Sequence, residues 1–136
     1  YPPDAFETFD TYINAGDYQK ALQMVYTIGD APAHELEIQK ALPNWQARLS
    51  ATPSIRREVL GAMNYHFNPD RFRNLETPTL LLVGSESTTF YRSATETVHK
   101  GLPCSRVAVL SGQGHEAVLT APELFLREVL GFFERI

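Results

Sequence analysis

Apolar residues recur every three or four positions through the first half of the chain. Phe6, Phe9 and Ile13, with Tyr12 beside them, predict an amphipathic helix that Gly16 closes with a left-handed cap. Asp17 then offers an N-cap to a second helix, in which Tyr18, Ala21, Leu22 and Val25 repeat the spacing and Gly29 closes in the same manner. Two short antiparallel helices are the expected result. A third helix is expected from Glu35 to Leu42, stopped by Pro43. A fourth opens at Thr52-Pro53, where the hydroxyl can cap and proline suits the first turn, and it carries Ile55, Val59 and Met63 on one face.

The pattern changes after Asn68-Pro69-Asp70. Thr79-Leu80-Leu81-Leu82-Val83 is a continuous apolar run that follows Thr77-Pro78 and ends at Gly84, which suits a strand buried on both faces. The polar loop Ser85-Glu86-Ser87-Thr88-Thr89 leads into a helix whose expected inner face is Phe90, Ala94 and Val98, ended by Gly101 and Pro103. A second strand is expected over Arg106 to Leu110, followed by the turn Ser111-Gly112-Gln113-Gly114-His115. Thr120-Ala121-Pro122-Glu123 reads as a capping box opening a last helix with Leu124, Phe125, Val129, Leu130, Phe132 and Phe133. The second half therefore runs strand, helix, strand, helix. Two parallel strands alone leave unpaired backbone along both edges, so further strands are expected from a partner chain or an upstream segment.

Composition narrows the function classes. With 43% apolar and 21% charged residues in 136, the chain has ordinary globular composition rather than that of a disordered segment. A net charge of −4 supplies no basic stripe, so neither nucleic acid nor an anionic membrane surface is an expected partner. No apolar run approaches the roughly 20 residues that span a bilayer, and the first residues do not resemble a signal peptide. The single cysteine, Cys104, makes no internal disulfide and builds no zinc site by itself, which points to a reducing compartment, the cytoplasm. A first residue of tyrosine is expected of a chain that begins inside a longer translation product.

The candidate chemistry sits at His115. It follows the second strand in a loop with two glycines, and in open α/β sheets functional groups gather beyond the carboxyl ends of the strands. A histidine there can exchange protons near neutral pH; its alternative is a loop residue that caps a helix or binds water.

Taken together, Thr77-Pro78-Thr79-Leu80-Leu81-Leu82-Val83-Gly84, Leu102-Pro103, Arg106-Val107-Ala108-Val109-Leu110, Gly112-Gln113-Gly114-His115 and Ala121-Pro122-Glu123-Leu124-Phe125 resemble the last two strands and helices of α/β-hydrolases. The implied fold is α/β: the C-terminal portion of an α/β-hydrolase sheet, two parallel strands with crossover helices over residues 68–136, preceded by a helical cap over residues 1–67 and incomplete alone. The cap part of the match rests on Tyr1-Pro2-Pro3, similar to the exit from the sixth strand, and on Ala15-Gly16-Asp17. The resemblance implies Ser-His-acid catalysis, with His115 as general base and then general acid. It also implies a nucleophile on a Gly-x-Ser-x-Gly elbow, and no such pentapeptide occurs here. Ser85 and Ser87 lack the elbow glycines and read as polar loop residues. The nucleophile is therefore expected on the N-terminal half of the same hydrolase, as an upstream segment or a separate chain. Many relatives carry an aspartate three residues after the glycine that ends the first strand, but Ser87 stands there. The acid is left among a residue upstream of Tyr1, Glu86 and Asp4.

The implied activity is cleavage of an ester, lactone or related acyl bond in a small apolar substrate, with no metal or organic cofactor. A lyase or an aspartate-nucleophile hydrolase on the same fold, or a non-catalytic binding protein, stays open. Gly112-x-Gly114-x-x-Ala117 imitates a dinucleotide fingerprint, but Pro122 intrudes and no further strand follows. His34, His66 and His99 show no metal-ligand spacing. Phe6, Phe9, Tyr12, Met24, Tyr26, Trp45, Tyr65 and Phe67 are expected mostly to pack the cap, the remainder lining an apolar substrate pocket.

Overall fold

Helices α1 (Ala5–Asn14) and α2 (Tyr18–Ile28) meet at Gly16, whose φ of 73° is the left-handed cap expected of it. The Asp17 side chain accepts a hydrogen bond from the Lys20 amide at 3.2 Å, satisfying an N–H that the first turn of α2 leaves over. Gly29 behaves differently from expectation. Its φ is −73°, so Gly29 is not itself a left-handed cap, and beyond it the Ala31 amide donates back to the Tyr26 carbonyl at 3.0 Å. Helix α3 (Ala33–Lys40) starts two residues before its expected position, and α4 (Trp45–Ala51) forms where no helix was expected. The expected fourth helix opens at Thr52 as a single 3-10 turn over Thr52–Ser54 and runs into α5 (Ile55–Met63). Thr52 does not cap it. Its hydroxyl is fully buried and donates back to the Arg48 carbonyl at 3.2 Å.

These helices share a core of Leu22, Tyr26 and Leu36, against which Ala31, Trp45, Leu49 and Ile55 pack. Removing a large side chain from such a site costs about 2–5 kcal/mol. Helix α3 also turns Glu35 and Gln39 inward, each only 1% exposed. The Tyr26 hydroxyl donates to Gln39 Oε1 and accepts from the Arg48 guanidinium, so part of this core is held by polar groups rather than by packing alone.

The computed structural model describes residues 2, 4–29 and 31–135 of the chain. Contacts divide it into two units, Tyr1–His66 and Phe67–Ile136. The Tyr1-Pro2-Pro3 resemblance falls on a stretch in which Tyr1 and Pro3 lie outside the described residues.

In the second unit, Phe67 stacks on Phe72 with ring centroids 5.4 Å apart, bracketing a 3-10 turn at Pro69–Arg71 that the Asn68 side chain caps. Strands β1 (Thr79–Gly84) and β2 (Ser105–Leu110) then pair in parallel, in register from Thr79 opposite Ser105 to Gly84 opposite Leu110. They are the two strands among the described residues. A parallel pair requires a crossover, and α6 (Thr89–Gly101) supplies it.

Burial of β1 on both faces is not what the structure shows: Thr79 to Val83 are half-buried, because a two-stranded sheet cannot enclose its own strands. The inner face of α6 agrees with expectation at Val98 and lies one residue on from it at the first two positions. Tyr91, Thr95 and Val98 are half-buried, whereas Phe90 is 74% exposed and Ala94 is exposed. Gly101 is buried with its Cα hydrogens against the Phe67 ring, where a Cβ would lie 2.7 Å from ring carbons. After β2 come a single turn, α7 (Ala117–Thr120), and α8 (Pro122–Phe133). The expected capping box does not form. Thr120 ends α7 and its hydroxyl donates to Gln113 Oε1 at 3.2 Å, which takes it away from the α8 amides. Among the described residues no helix is long and apolar enough to cross a membrane.

Candidate active site at the carboxyl end of the strands

Both strands end at the same level, and the loops that follow them are tied together. Gly84 makes this possible. A Cβ at that position would lie 2.1 Å from the Gln113 carbonyl oxygen and 2.4 Å from that of Gly114, so only a residue without a side chain admits the second loop so close. The Glu86 amide donates to the Gln113 carbonyl at 2.9 Å, and the Ser85 amide donates to the Leu110 carbonyl at 3.0 Å. The Gly112 amide in turn donates to the Ser85 hydroxyl at 2.8 Å, and Gly112 takes a φ of 70° to make the turn. Gly84, Ser85 and Glu86 at the end of β1 thus hold Leu110, Gly112, Gln113 and Gly114 at the end of β2.

His115 stands immediately after this clamp and two residues before α7. Its imidazole is exposed and lies flat on the Tyr91 ring, with centroids 3.7 Å apart and planes 6° from parallel. Among the described residues this stack is its contact partner, and no carboxylate hydrogen-bonds it. The imidazole lines a half-open cavity of about 170 Å³. Gly84, Ser87, Thr95, Leu110 and Phe125 contribute other parts of the wall.

Of the acid candidates, Glu86 is exposed and its carboxylate accepts from the Ser85 hydroxyl at 3.0 Å; it is not part of the cavity wall. Ser87 is. It is 5% exposed, and its amide donates to the Gly84 carbonyl. Asp4 is exposed just before α1, in the other unit. Among the described residues no group of three or more His, Cys, Asp or Glu side chains converges as a metal site. His99 is engaged structurally, its Nδ1 2.8 Å from the Ser105 hydroxyl, and Cys104 is exposed.

The aromatic residues of the helical half separate into roles. Tyr26 and Trp45 belong to the core, while Phe6, Phe9 and Met24 line an apolar hollow together with Val25, Ile28 and Val59. Tyr65 is exposed, and Phe67 packs in the second unit. Tyr91, through its stack on His115, is the neighbour of the candidate site that sequence reasoning missed. The only available signal was its place one turn into the helix that follows β1, since an aromatic on an amphipathic helix otherwise reads as packing.

No protein-family model matches the sequence, and no curated protein matches it. Among solved structures, an α/β hydrolase from Sphaerobacter thermophilus DSM 20745 superposes with a TM-score of 0.74 at 21% identity, over 97% of this chain and 51% of that one. The chain thus spans about half the length of that hydrolase. At such identity the likeness is one of fold, and it agrees with the parallel strands, the crossover helix and the helical N-terminal region: the chain is folded as half of an α/β hydrolase.

Proposed function

We propose that this chain is the histidine-bearing half of a serine-type α/β-hydrolase that cleaves an ester, lactone or related acyl bond in a small apolar molecule. The observation that carries the reading is the placement of His115: on the loop after β2, beyond the carboxyl end of the parallel pair, in the wall of a cavity. In the reaction the imidazole takes the proton of a serine hydroxyl supplied by the N-terminal half, on a Gly-x-Ser-x-Gly elbow. The serine oxygen attacks the acyl carbon, and the imidazolium then gives its proton to the leaving oxygen. Water repeats the sequence to release the acid. Backbone N–H groups near the elbow hold the oxyanion. Residues 1–67, which carry α1 to α5, are the cap segment that such enzymes insert before their last strands. The triad acid comes from the N-terminal half, because Glu86 is engaged with Ser85 and the loop position nearest the cavity is Ser87. The exposed thiol of Cys104 fits a reducing compartment such as the cytoplasm.

The test is hydrolysis of p-nitrophenyl butyrate by the complete protein and by its His115→Ala variant. The proposal expects the variant to lose roughly 10³- to 10⁶-fold in kcat, as triad members do elsewhere. Ser87 in the acid position favours one rival, a non-catalytic binding protein on the same fold, and a complete protein with no turnover above background, parent and variant alike, would point to that rival instead.

A further inference from the structure

We infer that Tyr91 is a positioning residue for His115, its ring fixing the plane in which the imidazole presents its nitrogens. This rests on the acyl-transfer reading above and extends it to a residue of α6.

The backbone on either side of His115 is held, by the clamp at Gln113-Gly114 before it and by α7 after it. That fixes where the side chain starts and leaves its two torsions free. An exposed imidazole without a packed neighbour samples several rotamers. A carboxylate bonded to one ring nitrogen removes part of this freedom but not all, because the ring can still turn about the hydrogen-bond axis. A flat aromatic surface removes the rest. Tyr91 supplies such a surface at 3.7 Å and within 6° of parallel, and a stack of this kind meets a face of the imidazole rather than the edges that carry its nitrogens.

The tyrosine ring has a second aromatic neighbour, Phe90, in edge contact with centroids 5.3 Å apart. It sits on the half-buried face of α6 with Thr95 one turn on, whose hydroxyl donates to the Tyr91 carbonyl at 2.9 Å. Thr95 and His115 line the same cavity, so the face of α6 that carries the stack is the face turned toward the site. The ring also suits the charge that catalysis creates. When His115 takes up the serine proton, the imidazolium rests on the electron-rich face of the phenol, which attracts a cation more than it attracts the neutral ring. The contact therefore grows stronger in the charged state, and an interaction of that kind raises kcat rather than lowering KM.

The experiment compares Tyr91→Leu with Tyr91→Phe in the complete enzyme, following p-nitrophenyl butyrate hydrolysis and the His115 ring Cε1–H resonance, assigned by its loss in His115→Ala. Tyr91→Leu should lower kcat roughly tenfold at a nearly constant KM, an effect of the size an aromatic contact carries. It should also move the resonance downfield, out of the ring current. Tyr91→Phe keeps the stack and should retain both properties. The inference is overturned if Leu at position 91 leaves kcat and the resonance where they were, or if Phe damages turnover as much as Leu does. The absence of any His115-dependent hydrolysis removes the acyl-transfer reading and the catalytic consequence of the stack with it. A His115-dependent enzyme indifferent to Tyr91 removes the positioning role alone.

Discussion

Adding one carbon to Gly84 is the most direct way to ask whether the clamp between the two loops places His115. A Cβ there would lie 2.1 Å from the Gln113 carbonyl oxygen and 2.4 Å from the Gly114 carbonyl oxygen. Both are backbone atoms that no rotamer change can move aside. The second loop must retreat by more than an ångström to reach ordinary van der Waals separation. That retreat lengthens the hydrogen bond from the Glu86 amide to the Gln113 carbonyl and carries His115 with it. Overpacking of this kind costs about 1–3 kcal/mol. For a unit of this size each kilocalorie lowers the midpoint by about 4–8 °C, so the Gly84→Ala variant should melt roughly 5 to 20 °C below the parent. A reacting group displaced by an ångström costs about 10²-fold in rate, which sets the expected fall in p-nitrophenyl butyrate turnover. Gly112→Ala serves as the control. It has a φ of 70° and open space around its Cα, so alanine there strains the backbone by about 1–2 kcal/mol without pushing the loop. It should lose stability and keep most of its turnover. If Gly84→Ala melts with the parent and turns over within twofold of it, the clamp does not position the histidine.

Three further outcomes are expected. Glu86→Ala should keep near-normal turnover in the complete enzyme, since its carboxylate bonds Ser85 and not the imidazole; a loss as large as that of His115→Ala would make it the triad acid. Tyr26→Phe removes the hydroxyl that joins Gln39 to Arg48 in the helical core and should cost about 1–3 kcal/mol in urea denaturation, the penalty of stranding buried polar groups. Asp17 is held below the ordinary carboxylate range, first by its hydrogen bond to the Lys20 side chain and then by the Lys20 amide. Its contribution is therefore present above the unfolded carboxylate pKa of about 3.9 and is lost as pH falls through the lower folded value, so Asp17→Asn should flatten the acid limb of the stability curve in that range.

How much of this could be read from residues alone depended on whether the deciding contact was local. Gly16 was legible because a glycine after an apolar helical stripe needs no partner to adopt a left-handed φ. Gly29 keeps a φ of −73° because it is the C-cap residue of α2, whereas Gly16 stands one place beyond Ala15, the C-cap of α1, and the apolar spacing does not fix a helix end to one residue. Helix α4 escaped notice because Trp45 and Leu49 are its only large apolar residues, and a pair of that kind is too short to register as a period; the Leu22, Tyr26 and Leu36 cluster they pack on is what the pattern could not show. On α6 the apolar count favoured Phe90 and Ala94, whereas the structure turns Tyr91 and Thr95 inward. The difference is the stack on His115, a contact between residues 24 positions apart. His115 itself was visible because strand, glycine turn and histidine follow one another directly.

The exposed imidazole and the exposed apolar surface belong to one physical problem. Val109, Leu126, Leu130 and Phe133 are each at least half exposed, and the last three repeat at i, i+4 and i+7 down one side of α8. Apolar surface left in water forfeits about 25 cal/mol per Å², and the two strands have free backbone along their outer edges as well. Under the proposed function the N-terminal half covers this surface and pairs one of those edges. The same docking excludes water from His115, and that matters for chemistry as much as for stability, because the attraction between an imidazolium, its carboxylate and a developing oxyanion strengthens steeply as the local dielectric falls. On that proposal, docking of the N-terminal half, as an upstream segment or a separate chain, would in one step bury the side chains that fold the sheet and supply the dry surroundings in which an imidazole works best as a catalyst, which is a physical reason for placing the histidine so openly on this half.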